Sequence, residues 1–119
     1  MAPLESFMEL KVWQAAMELA SSVYTVTKSF PTSERFGLTA QVRRAAVSVP
    51  SNIAEGHRRT KPAYLNHLQI ALGSLAEVET QLLLALRLGM CRKEHVEALQ
   101  AEIDQVGKML HALRRALQD

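Results

Sequence analysis

The sequence predicts an all-α protein, an antiparallel up-down-up-down four-helix bundle with a proline-kinked second helix. Three observations predict it. Apolar residues recur at spacings of three and four through almost the whole chain. Proline and glycine fall at the joints between those runs, at Pro31, Gly37, Gly56, Pro62 and Gly89. Strand signals are few, and the joints are short, which makes consecutive helices antiparallel neighbours.

The first helix is expected from about Phe7 to Ser29. Ser6 followed three residues later by Glu9 is a capping-box pattern. Trp13, Ala16, Met17, Ala20, Val23, Tyr24, Thr27 and Phe30 form one stripe. Phe30-Pro31 ends it, because a residue before proline is pushed out of the α region. The second helix is expected to start near Ser33, with Glu34 at the positive end of its dipole. Leu38, Val42, Ala45, Ala46, Val49 and Ile53 continue the pattern until Pro50 intrudes. A proline inside a helix removes a donor and strikes the carbonyl four residues back, at a cost of about 3 kcal/mol. The helix either bends and continues, or stops and restarts. The reading adopted is a bent helix ending at Gly56 in a left-handed C′ position.

Thr60-Lys61-Pro62 opens the third helix, with proline where its missing donor is harmless. Leu65, Leu68, Ala71, Leu72, Leu75, Val78, Leu82 and Leu86 make its main stripe. Ile70, Gly73, Leu83 and Leu84 lie off it, so this helix has more apolar surface than one core face needs. A glycine inside a helix costs about 1 kcal/mol relative to alanine, so Gly73 predicts a close approach by another backbone. Leu88-Gly89 closes the helix. The fourth, about Lys93 to Leu117, carries Val96, Leu99, Ile103, Val106, Leu110, Leu113 and Leu117 as a strict heptad seam.

The 119 residues make one domain, 1–119. A chain of this length buries about two-thirds of its unfolded surface and needs no staples. Cys91 is the sole cysteine, so no intrachain disulfide forms. Met1-Ala2-Pro3-Leu4-Glu5 lacks the basic and apolar regions of a signal peptide. The densest apolar run, Leu82 to Leu86, falls far short of the roughly 20 residues that span a bilayer. A soluble, cytoplasmic protein is expected, with no membrane partner.

The net charge is only +2, but residues 34–62 hold six basic side chains against two acidic ones. An anionic partner is sought there. Arg43 and Arg44 precede Pro50, and Arg58, Arg59 and Lys61 precede the third helix, whose N-terminal amides also favour anions. Tyr64 is the one aromatic residue near enough to suggest base stacking. The competing reading pairs Arg43 with Glu77, roughly level with it across an antiparallel hairpin. Lys108, Arg114 and Arg115 read as a solvated helix end.

No catalytic or metal chemistry is encoded in a recognisable pattern. None of the ten glutamates has histidine three residues on, and His57, His67, His95 and His111 are scattered. Cys91 lacks a zinc-ligand partner. There is no nucleophile elbow and no phosphate-binding glycine loop. Glu77 and Glu79, two apart, point in different directions on a helix. No catalytic residue, metal or cofactor is expected.

Leu10-Lys11-Val12-Trp13-Gln14, Phe30-Pro31, Phe36-Gly37-Leu38, the run Arg43-Arg44-Ala45-Ala46-Val47-Ser48-Val49-Pro50-Ser51-Asn52-Ile53-Ala54-Glu55-Gly56, and Ala71-Leu72-Gly73-Ser74-Leu75-Ala76-Glu77 resemble a bacterial four-helix-bundle family. That family includes proteins encoded in intervening sequences of large-subunit ribosomal RNA. The chain is also similar to accessory proteins of diversity-generating retroelements. The resemblance implies a bundle that assembles into a five-membered ring with a central channel. It also implies a nucleic-acid-facing role in some branches, and no known catalysis.

The function expected is therefore a non-enzymatic, homo-oligomeric ring that binds RNA or DNA through a basic belt of Arg43, Arg44, Arg58, Arg59 and Lys61. Pro50, Asn52, Glu55, Gly56, Gly73 and Glu77 are expected to be structural or interface positions. The alternative is a protein-interaction adaptor with a docking groove at Pro50 and a Gly56 loop.

Overall fold

Residues 6–119 are described in the computed structural model of the chain. The reading of residues 1–5 as lacking a signal peptide lies outside them. Four helices follow in order: α1 Lys11–Thr27, α2 Leu38–His57, α3 Lys61–Arg87 and α4 Lys93–Gln118. Short 3-10 turns at Phe7–Glu9 and Thr32–Glu34 precede α1 and α2, and the described residues contain no strand.

The two turns correct the expected helix starts. Ser6 Oγ accepts from the Met8 N–H at 3.1 Å, so it caps the first turn rather than α1. Leu10 then adopts extended backbone (φ −73°, ψ 126°) and separates that turn from α1. The Gln14 side chain donates to Met8 O at 2.9 Å and ties the two together. Before α2, Glu34 stands outside the helix, yet its carboxylate accepts the Leu38 N–H at 3.0 Å. It satisfies one of the four donors that every helix start leaves open.

α2 runs through Pro50 without stopping and ends at His57. Gly56 is therefore inside the helix, buried, and not the left-handed terminus expected of it. Its use is steric. A Cβ built there would lie 2.8 Å from His67 Cβ and 2.9 Å from Tyr64 Cδ1. Only glycine lets α3 come this close. Gly89 does take the left-handed conformation, at φ 75°. The Met90 N–H reaches Ala85 O at 2.9 Å and the Gly89 N–H reaches Leu86 O at 3.0 Å, the pair of bonds that closes a Schellman motif.

The helices pack in a closed circuit, α1 on α2, α2 on α3, α3 on α4 and α4 on α1. Across α2 and α3, Gly56 faces Tyr64, Asn52 bonds His67 and Ser48 bonds Ser74. Rising positions meet falling ones, so these two helices point in opposite directions. The core is one apolar cluster, with Leu19, Val42, Val49, Ile53, Leu68, Val78, Leu82, Leu99 and Leu110 among its fully enclosed members.

The apolar surfaces of α3 and α4 are used differently. The α4 seam is used inside the chain, since Val96, Leu99, Ile103, Val106 and Leu110 are buried and Leu113 and Leu117 pack partly against the core. The surplus on α3 is real, with Ile70, Leu83 and Leu84 exposed. Gly73 meets nothing within 4 Å of a built Cβ, so no close approach occurs there within the chain. Among the described residues, no helix is long and apolar enough to cross a membrane.

Pro50 is buried and lines the α1–α2 groove with Trp13. Replacing it with alanine restores helix propensity but removes ring contacts, so Pro50→Ala should leave the melting temperature within about 5 °C. A loss of several kcal/mol in calorimetry would show that the ring is essential. Gly56→Ala should lower stability by about 1–2 kcal/mol in urea titration, overpacking against Tyr64 and His67 outweighing the gain in helix propensity.

Candidate nucleic-acid interface

The five basic residues singled out in the sequence do not form one surface. Arg44 and Arg58 are 14 residues apart on α2 and its end, about 21 Å along the axis at 1.5 Å per residue. The structure therefore splits them into a mid-helix pair and an end cluster.

Arg43 is largely committed within the chain. Its Nε donates to Thr27 Oγ1 at 2.8 Å, and its guanidinium carbon lies 4.5 Å from the Tyr24 ring centroid. Thr27 in turn donates to Val23 O at 2.8 Å. The result is a clasp between α1 and α2, and the Arg43–Glu77 ion pair does not form. The helical register explains this: Arg43 faces α1, whereas Glu77 shares the α2–α3 groove with the neighbouring Arg44, Gln41 and Gln81. Arg44 is exposed along that groove.

The end cluster is open. Arg58, Arg59 and Lys61 are all exposed at the three-residue connection between α2 and α3. The Arg58 guanidinium lies 5.5 Å from the Phe7 ring centroid. Arg59 Nη2 meets Glu55 Oε1 at 3.1 Å, the one ion pair among the described residues. Both side chains are about half exposed (55% and 52%), and such a surface pair contributes at most about 1 kcal/mol. It leaves the other Arg59 donors free. Tyr64 is not a stacking platform: it is buried, it stands edge-on to His57, and its hydroxyl has no partner. Burial also pushes the Tyr64 hydroxyl pKa up, keeping it neutral.

The topology adds residues that the sequence reading dismissed. α3 and α4 meet with Glu79 beside Gln100, bonded at 3.1 Å, and with Leu75 beside Gly107. That register carries the end of α4, with Arg114 and Arg115, to the end of the bundle that holds Lys61. The start of α1, with Lys11, is at the same end. The signal was available in the connectivity, since an up-down-up-down bundle puts its last C-terminus beside its third N-terminus.

Asn52 organises the α2–α3 contact. Its Nδ2 donates to Ser48 O at 2.8 Å and to Ser48 Oγ at 3.0 Å, and its Oδ1 meets His67 Nδ1 at 2.9 Å. Ser48 Oγ continues the chain to Ser74 Oγ at 2.9 Å. His67, one of four histidines scattered along the sequence, is thus tied to this ladder together with Ser74. Across α1 and α4, Ser22 Oγ donates to Glu102 Oε1 at 3.1 Å. Burial raises the Glu102 pKa, the Ser22 bond opposes this, and the nearby Glu18 carboxylate adds to it. Burial likewise raises the Cys91 thiol. Among the described residues, no three histidine, cysteine or acidic side chains come together as a metal site.

A helical bundle with a polar ladder between α2 and α3 and a cationic end is thus the class of protein defined by fold and surface. The model of the family described as 23S rRNA-intervening sequence protein matches residues 8–112, and the chain belongs to that family. It is similar in fold to the crystal structure of a protein of unknown function from the S23 ribosomal protein family of Bacteroides thetaiotaomicron VPI-5482. The TM-score is 0.80 and the identity 24%, over 87% of this chain and 95% of that one. A search of curated proteins found no match.

The raised Glu102 pKa fixes a pH dependence. Its charged form is disfavoured in the fold, so the stability linked to this group is full below the unfolded carboxyl pKa and is lost as pH rises through the folded value. Glu102→Gln should therefore melt above the wild type at pH 7. The difference should shrink to nothing as pH falls below about 4, as thermal melts across that range would read.

Proposed function

We propose that the chain is a non-enzymatic homo-oligomeric scaffold that binds RNA, or another nucleic acid, through its cationic end. The observation that carries this reading is the exposure of Arg58, Arg59 and Lys61 together at the N-terminus of α3. Guanidinium forks and helix-start amides both suit phosphate oxygens. Membership in a family named for ribosomal RNA intervening sequences supports an RNA rather than a small anion. Arg44 is an accessory contact, and Arg43 contributes only the donors left beyond its bonds to Thr27 Oγ1 and Tyr24 O. Assembly multiplies a modest cationic patch by the copy number, so weak single contacts become an avid site. The ring of five implied by the family resemblance is the assembly proposed.

Light scattering should return a multiple of 13.2 kDa at micromolar concentration. In a mobility-shift assay at 50 mM salt, structured RNA should bind at micromolar Kd or tighter and weaken steeply with added salt. Arg58→Ala with Arg59→Ala and Lys61→Ala should reduce the slope of log affinity against log salt by about 2. Retention unchanged by those substitutions would overturn the site. No retention at all, with a protein recovered from nuclease-treated lysate, would favour the adaptor reading instead.

A further inference from the structure

The polar ladder between α2 and α3 stops partway along the pair. Asn52 bonds His67 and Ser48 bonds Ser74. From Ser48 toward the start of α2, no further side-chain hydrogen bond crosses to α3 among the described residues. Counting 1.5 Å per residue from the Ser48–Ser74 bond puts Arg44 within about 2 Å of the height of Glu77, and Gln41 level with Gln81. Two more polar pairs therefore face each other across the groove, and neither is joined. A cavity of about 380 Å³ lies there, lined by Gln41, Arg44, Ser48, Ser74, Glu77 and Gln81. That is at the small end of the range that ligand pockets occupy.

The unjoined charges define what fits. Arg44 and Glu77 carry opposite charges and border one cavity at one height. Neither forms an ion pair, with the other or with any described residue. An exposed pair gains little by closing, because two long side chains would have to be held in one geometry. An anion alone would meet the Glu77 carboxylate, and a cation alone the Arg44 guanidinium. A molecule that carries a carboxylate and an ammonium close together satisfies both. The guanidinium fork takes a carboxylate by two parallel hydrogen bonds, and the Glu77 carboxylate accepts from an ammonium.

The neutral groups of the cavity also have hydrogen-bonding capacity to spare. Ser48 Oγ accepts from Asn52 Nδ2 and shares one bond with Ser74 Oγ. Two hydroxyl hydrogens serve that one bond, so whichever serine donates, the other keeps a free donor. Gln81 Oε1 is enclosed without a partner, and a buried acceptor lacking a donor is costly. Gln41 is exposed across from it. An amide side chain both donates and accepts, so a facing pair of amides suits a third amide. We propose that this cavity binds a small zwitterion, a free α-amino acid with its carboxylate on Arg44, its ammonium on Glu77 and an amide side chain toward Gln41 and Gln81. The site draws on neither the end cluster nor assembly, so it stands apart from the nucleic-acid reading.

The test is a titration of the isotope-labelled wild-type protein with L-glutamine, and in parallel with L-asparagine, followed by two-dimensional NMR. At least one of the two should shift the backbone amides around Arg44 and Glu77 saturably, with a Kd of about 1 mM or tighter. The N-acetyl derivative of that amino acid lacks the ammonium, and its C-terminal amide lacks the carboxylate. Each should bind at least about tenfold more weakly. On Glu77→Gln the penalty for acetylation should vanish while that for amidation persists, and on Arg44→Gln the reverse should hold. Every comparison is between two ligands on one folded protein, so a loss of stability does not imitate it. Equal binding of the free amino acid and its two derivatives to the wild type would overturn the proposal. So would the absence of saturable shifts at the cavity with either amino acid up to about 10 mM.

Discussion

The close approach of α2 and α3 at Gly56 is the constraint on which the rest depends. A methyl group there would collide with His67 Cβ and the Tyr64 ring, so the hydrogen at that position sets how near the two helices stand. That nearness brings Asn52 to His67 and Ser48 to Ser74. Partly buried polar groups are costly unless paired, and this ladder pairs them at one register only. A slip of a turn along the interface would strand all four side chains. The position of the cationic end is inherited from that register.

Much of the bundle was legible from spacing alone. The α4 seam, the proline start of α3 and the glycine stop before α4 follow from periodicity and from what proline and glycine permit. Other features were not legible, for physical reasons that can be named. Periodicity says which face of a helix is apolar but not which neighbour it meets, so Glu77 stood as the competing partner for Arg43 when α1 holds it. A glycine can serve a left-handed turn or a tight contact. Gly56, expected to make a turn, makes a contact, and Gly73 makes neither within the chain. Leu10 breaks the expected first helix although nothing in its apolar pattern signals extended backbone.

The cationic side chains are distributed by the same logic. In mid-helix, Arg43 is drawn into a contact between elements by Thr27 and Tyr24, while its neighbour Arg44 stays exposed. Cationic groups at the helix ends have fewer packed neighbours and stay solvated, as Arg58 and Lys61 do. A count along the sequence merged the two populations into one belt. The fold separates them, and it brings Lys11, Arg114 and Arg115 from the chain's extremities toward Lys61.

Trp13 is the sole tryptophan, half-buried on the wall of the α1–α2 groove with the Phe7 ring edge-on at 5.3 Å. Its indole is thus a built-in fluorophore at the mouth of that groove. Whatever occupies the groove changes the water around this one chromophore, so dilution monitored by intrinsic emission reads occupancy without any label.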